Sequence, residues 1–184
     1  MSLVQKGIAI VFALAAIIFL GGFILPSQVH VERETVINAP ASAIFAEVSD
    51  FNEWRKWSPW ANIDPDADYR LEGQGVGQTM TWASDNPDVG SGKQTITQLA
   101  SPRLIKTSLD FGDMGVSEAT FTLEPVDNKT EDKIRVTWSL DTDMRESVPL
   151  LSRPMSTYFG FFMDSMVGSK YAEGLENLKA VVEG

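Results

Sequence analysis

Cysteine is absent from the 184 residues. That excludes disulfides, thiol nucleophiles and zinc centres built on thiolates. Histidine occurs once, as His30, which argues against a histidine-based metal centre or a Ser-His-Asp triad. Positive charge is scarce: 15 Lys and Arg face 25 Asp and Glu, for a net charge of -10. Lys6 is the only charged residue among the first 26, so the rest carries 14 basic and 25 acidic residues, or -11. A surface this acidic repels nucleic-acid phosphates and anionic lipid headgroups, so nucleic acid is not an expected partner. A phosphate cradle is also lacking. Gly73-Gln74-Gly75-Val76-Gly77 is glycine-rich, but such a cradle needs a helix N-terminus behind it. The residues that follow, 78–83, alternate like a strand, so the glycines read as a hairpin turn.

What the chain does have begins with an uninterrupted apolar run, residues 8–25. Its length suits a hydrocarbon core of roughly 30 Å. It carries no polar stripe of the kind a soluble amphipathic helix shows. A cleaved signal peptide is the other reading, but its apolar region is usually about 7–15 residues long and ends at a small-residue cleavage site. Here the run ends in Leu25-Pro26-Ser27-Gln28, and the anchor is the preferred reading. Residues 1–27 are then a transmembrane segment and 28–184 a folded domain. Lys6 before the run, against Glu32 and Glu34 after it, places the N-terminus in the cytoplasm and the domain outside the inner (plasma) membrane.

Residues 29–38 alternate, with Val29, Val31, Thr35 and Ile37 on one face and His30, Glu32, Glu34 and Asn38 on the other. That is a strand with one buried side. Arg33 falls on the apolar side, either as a snorkelling stem or register shift, or as a cation inside a pocket. A helix over 41–49 follows Pro40, then a second short helix over 53–57. Trp54, Trp57 and Trp60 crowd this segment, either as a carbohydrate or membrane-surface platform or, the preferred reading, as packing, some of it at a cavity mouth. Further strands are expected over 67–71, 78–83, 93–99, 103–111, 116–125 and 134–140. Short strands joined by turns imply an antiparallel meander. The turn at 127–132 holds a formal glycosylation sequon, Asn128-Lys129-Thr130, to which no role is attached.

The C-terminal stretch repeats Met163, Val167, Tyr171, Leu175, Leu178 and Val182 at spacings of three and four. That is one apolar face of a long helix, able to close the core of the strands. An apolar, aromatic lead-in over 150–162 precedes it. Gly160 and Gly168 are candidate points of bending.

Several stretches resemble one family. Residues 36–60 (VINAPASAIFAEVSDFNEWRKWSPW) resemble the opening of the START-like helix-grip proteins, the SRPBCC superfamily. Residues 72–82 (EGQGVGQTMTW) resemble its glycine-rich hairpin, and 134–144 and 166–183 look like the end of the polyketide cyclase/dehydrase-like group. The resemblance spans about residues 29–184. It implies an α+β helix-grip fold: a curved antiparallel sheet of about seven strands wrapped around the C-terminal helix, with two short helices after the first strand. The N-terminal transmembrane helix is added to this.

The resemblance also implies a cavity between sheet and helix for a small hydrophobic or amphipathic ligand. Its walls would use Trp82, Phe111, Phe121, Trp138, Met163, Val167 and Tyr171, and Arg33 if it points inward. The superfamily shares no universal catalytic motif, so no catalytic residue is carried over, and no pattern points to a metal or cofactor. Three functions remain open. A membrane-anchored binding protein, holding a lipid-like or polycyclic molecule, is preferred. A cyclase- or hydratase-type enzyme would need an acid or base among Arg33, Asp110, Tyr158 and Tyr171. An interaction domain would fill its cavity with its own side chains. The oligomeric state is left open.

Overall fold

The computed structural model describes residues 2–127 and 132–184. The sequon at 128–130 lies outside the described residues. Seven strands, β1 (Gln28–Ile37), β2 (Asp68–Glu72), β3 (Thr79–Ala83), β4 (Ser91–Ala100), β5 (Leu104–Asp110), β6 (Val116–Pro125) and β7 (Ile134–Asp143), form one antiparallel sheet in the order β1-β7-β6-β5-β4-β3-β2. Strands β2 to β7 are a meander, each beside its chain neighbour. The first strand then pairs with the last, Val31 opposite Leu140 and Ile37 opposite Ile134.

Alternation decides which face is buried. Val31, Ile37, Ile105, Leu123, Ile134 and Val136 are buried, while their in-between neighbours Glu32, Glu124 and Arg135 are exposed. The β4–β5 register slips between Ile96 and Gln98. Such a bulge bends its strand and raises the local twist, which helps the sheet curl.

The helices are α1 (Leu3–Ile24), α2 (Ala41–Val48), α3 (Pro59–Ile63), α4 (Arg153–Gly160) and α5 (Met163–Glu183), with a 3-10 turn at Trp54–Lys56. The segment expected to hold one short helix after α2 thus holds two short pieces. Pro59 opens the second, because its missing N–H costs nothing at a helix start. Helix α5 closes the sheet with the face its spacing predicts. Tyr171, Leu175 and Leu178 are buried, and Met163, Val167 and Val182 pack beside them.

The bend falls where the lead-in meets α5, at Phe161 and Phe162. Gly168 is not a bend, because α5 runs unbroken through it. Its role is close approach. A Cβ there would collide with the Arg33 guanidinium, so the glycine leaves room for the arginine to cross α5. Arg33 then donates to Asp164 Oδ1 at 2.9 Å. This bond is the main cause holding the Asp164 carboxyl below its ordinary range.

Helix α1 begins with a reciprocal cap. Gln5 N–H donates to Ser2 Oγ, and Ser2 N–H to Gln5 Oε1. By length and composition α1 could cross a membrane, and a signal sequence would have the same character. Its last turns are held by the domain. Gly22 lies against Pro154 of α4 so closely that a Cβ would sit 2.6 Å from the proline Cα. Tyr158 donates its hydroxyl to Ile18 O at 2.7 Å. Arg145 Nη2 donates to Gly22 O at 2.9 Å and also to Leu25 O. These carbonyls have no intrahelical partner, and a cation there complements the negative end of the helix dipole.

His30 sits opposite Asp141 on β7, its Nδ1 2.7 Å from Asp141 Oδ1. That hydrogen bond, with the Asp141 and Glu32 charges, raises its pKa above the ordinary histidine value of 6.5 against a lowering by partial burial. A raised folded-state pKa stabilises the fold fully below the unfolded value. The contribution is lost as pH rises from about 6.5 through the folded pKa. His30 is the sole histidine, so one imidazole resonance should titrate above 6.5. In Asp141→Asn it should titrate lower. An unchanged midpoint in Asp141→Asn would remove the pairing as the cause.

Candidate ligand-binding cavity

The alternation that buries the core also sets a wall of rings. Trp138 on β7 is its hub. Tyr171 of α5 stacks on it with ring centroids 3.8 Å apart and planes 9° apart. Phe121 of β6 stacks on it at 4.7 Å and 22°. Trp54, Trp57 and Trp60 meet it edge-on at 5.6 to 6.0 Å. The edge contacts and the Phe121 stack fall in the favoured range of aromatic pairs, while Tyr171 packs closer, nearly face to face. Gly174 permits the close stack, since a Cβ there would come 2.9 Å from Trp138 Cζ3. Among the described residues, the Trp138 indole N–H is buried without a hydrogen-bond partner.

This packing does not consume the interior. A cavity of about 610 Å³ opens between α5, the tryptophan segment and strands β2 to β5, with Trp138 at its base. Trp82 forms its far wall. The ring lies across Gly92 on the neighbouring strand, where a Cβ would meet it at 2.6 Å, and its Nε1 donates to Val89 O at 3.2 Å. Phe111 supports it edge-on at 5.9 Å. The walls are mostly apolar, with a few polar groups. Gln94 is buried and donates through Nε2 to Thr107 Oγ1 at 2.9 Å, and its amide oxygen is able to accept from a ligand. Ser58, Asp88 and Lys170 lie toward the more open parts. Burial pushes the Tyr171 phenol far up, so at neutral pH it is a neutral hydroxyl, fit to donate or accept one hydrogen bond.

Five of the eight residues expected at a ligand site line this cavity: Trp82, Phe111, Trp138, Val167 and Tyr171. Three do not. Arg33 crosses to Asp164 over Gly168, because its strand faces α5 there, so the cation-in-a-pocket alternative does not hold. Phe121 lies behind Trp138 in the stack. Met163 packs on the core at the start of α5. Of the four acid–base candidates only Tyr171 reaches the cavity. Asp110 caps a turn through Gly112 N–H at 2.8 Å, and Tyr158 is spent on Ile18.

Sequence reasoning missed Gln94, Met80, Tyr69, Met166 and Lys170 as lining residues. For Gln94 a signal existed: it shares the inward phase of β4 with Ile96. A polar residue in the buried phase of a strand marks a site where something must hydrogen-bond it.

The same architecture recurs in solved structures. A protein from Nitrosospira multiformis shares 18% identity, with a TM-score of 0.55 over 83% of this chain and 95% of that one. One from Thermobifida fusca shares 16%, with a TM-score of 0.59 over 82% and 90%. The di-domain ARO/CYC StfQ of the steffimycin biosynthetic pathway shares 11%, with a TM-score of 0.64 over 85% of this chain and 51% of that one. At these identities the likeness is one of fold. No curated protein is similar enough in sequence to be matched. The family described as "Polyketide cyclase / dehydrase and lipid transport" matches residues 28–183. With that match over the sheet and the helix that closes it, the chain belongs to the polyketide cyclase/dehydrase and lipid transport family.

Proposed function

We propose that the protein is a membrane-anchored binding protein that holds a small hydrophobic or amphipathic molecule, lipid-like or polycyclic, between sheet and α5. The observation that carries this reading is the cavity of about 610 Å³, walled by Trp54, Trp60, Trp82, Phe111, Trp138 and Tyr171. Its size falls in the usual range of small-molecule sites, roughly 300–1,000 Å³. Apolar burial drives binding at about 25 cal/mol per Å², and Gln94 and Tyr171 set orientation. An interior filled by its own side chains is disfavoured by the same volume. Residues 1–27 serve as the anchor and 28–184 as the binding domain. Lys6, near the start of α1 and ahead of its apolar run, favours a single pass through the plasma membrane with the domain on the extracytoplasmic side.

A cyclase- or hydratase-type activity is the second reading. Its support is the neutral Tyr171 hydroxyl at the cavity wall, able to polarise a bound carbonyl by donating a hydrogen bond to it. Native mass spectrometry of the detergent-extracted full-length protein separates the cases. The expected spectrum shows a non-covalent adduct of a few hundred daltons, on the order of what such a cavity accommodates. In Val167→Trp, which pushes a bulky ring into the cavity from its α5 wall, the adduct should weaken while the fold persists. A delipidated protein that takes up no fatty acid, isoprenoid or polycyclic probe would overturn the binding reading. Adduct mass that changes on standing would favour the enzyme.

A further inference from the structure

We infer that the elbow between α4 and α5 is a second membrane element, seated in the leaflet that α1 leaves. This rests on the reading of α1 as a membrane span. Leu151, Met155 and Phe159 follow one another at spacings of four on and just ahead of α4, and Phe162 and Met166 carry the same apolar surface round the bend into α5. Every one of them faces solvent: Met155 is 74% exposed, Phe162 61%, and Phe161 beside them 63%. Amphipathic helices turn such a stripe to their own core, so an outward stripe needs an outside partner.

Helix α1 identifies the partner. Its 22 residues span about 33 Å at 1.5 Å per residue, barely more than the roughly 30 Å hydrocarbon core. There are no turns to spare, so Ile18, six residues before the end, lies about 9 Å inside. Tyr158 is hydrogen-bonded to Ile18, and Pro154 abuts Gly22. Four residues on one helix match four on the other in the opposite sense, so α4 runs antiparallel beside α1 and descends with it.

The chemistry of the segment fits the same place. Residues 154–163 contain no charged side chain. Their polar side chains are satisfied within the protein: Ser156 donates to Met144 O, Thr157 to Arg153 O at 2.9 Å, and Tyr158 to Ile18 O. Hydrocarbon tolerates backbone and hydroxyls only when they are paired this way. Arg153 and Asp164 bracket the stretch. The stripe ends at Met166, which also lines the cavity. The mouth of the cavity therefore stands beside the bilayer, and a membrane-derived amphiphile reaches it without crossing water.

The cysteine-free chain allows single-cysteine variants of the full-length protein labelled with an environment-sensitive fluorophore in phosphatidylcholine vesicles. The variants are Phe12→Cys, Met155→Cys, Phe161→Cys and, as the aqueous reference, Thr97→Cys. Acyl-chain nitroxide lipids should quench labels 12, 155 and 161 and leave 97 bright. Aqueous iodide should do the reverse. Label 155 should respond more than 161 to a nitroxide placed near the headgroup. Label 12 in lipid with 161 open to iodide would overturn the elbow and leave the anchor standing. Label 12 open to iodide would overturn both. A label at 161 shielded from both quenchers would mean a protein partner, such as a second copy, and would also overturn it.

Discussion

Trp138→Ala is expected to destabilise the domain by about 3–5 kcal/mol, the usual cost of removing a large buried ring. The indole is buried to 2% exposure and stands between Phe121 and Tyr171, so its loss unsupports both faces of the stack. Three further tryptophans lose their edge contact in the same step. The void would also join the existing cavity, so collapse cannot recover the contacts. Trp138→Phe should cost much less. It keeps a ring between Phe121 and Tyr171, and it removes a buried donor without a partner, which by itself costs roughly 1–3 kcal/mol. Urea unfolding of the full-length protein in detergent, followed through the remaining tryptophans, measures both. Equal losses in the two variants would show that ring stacking contributes little.

The second large effect is expected from Gly22→Val. The new Cβ would lie 2.6 Å from the Cα and Cβ of Pro154 and 2.9 Å from its carbonyl oxygen. Main-chain atoms cannot swing aside as a side-chain tip does, so α1 and α4 must part. Overpacking of this kind costs about 1–3 kcal/mol. Parting also breaks the Tyr158 bond to Ile18 and the Arg145 bonds to Gly22 and Leu25. Bonds from a charged donor contribute about 1.5–3 kcal/mol in favourable cases. Hydrogen exchange should show lost protection across Arg153–Gly160 while β6 and β7 keep theirs. Unchanged protection in α4 would mean that the helix is held without α1. The result also bears on ligand access, because α4 carries the stripe that leads to Met166.

The two variants probe different kinds of information. Trp138 was legible in the sequence. It lies in phase with Ile134, Val136 and Leu140, and the alternation alone puts it on the inner face. The strands, their antiparallel order and the apolar face of α5 were legible for the same reason. Periods of two and of three to four are local, and burial of one face enforces them over every residue of an element. Even the near misses follow this pattern. Phe121 and Met163 were assigned the correct face, and only their depth along it kept them from the cavity.

The sequence could not supply the close approaches. Nothing in their immediate sequence marks Gly22, Gly92 and Gly168 as contact points. Each makes room for one distant group: the Pro154 backbone, the Trp82 ring and the Arg33 guanidinium. Apart from Trp82 and its cross-strand neighbour, the residues that meet there or at the Arg33–Asp164 pair stand 131 to 135 positions apart and come together only after the chain has folded. What the sequence by itself determined, then, is the α+β order, the inward faces and an apolar helix with the length of a membrane span. Tertiary structure alone decided that the aromatic face leaves about 610 Å³ unfilled and that Arg33 is kept out of it. It also decided that α4 is locked against α1. The reason is physical: periodicity reports a residue's direction, whereas a void and a helix crossing depend on volumes contributed by elements far apart in the chain.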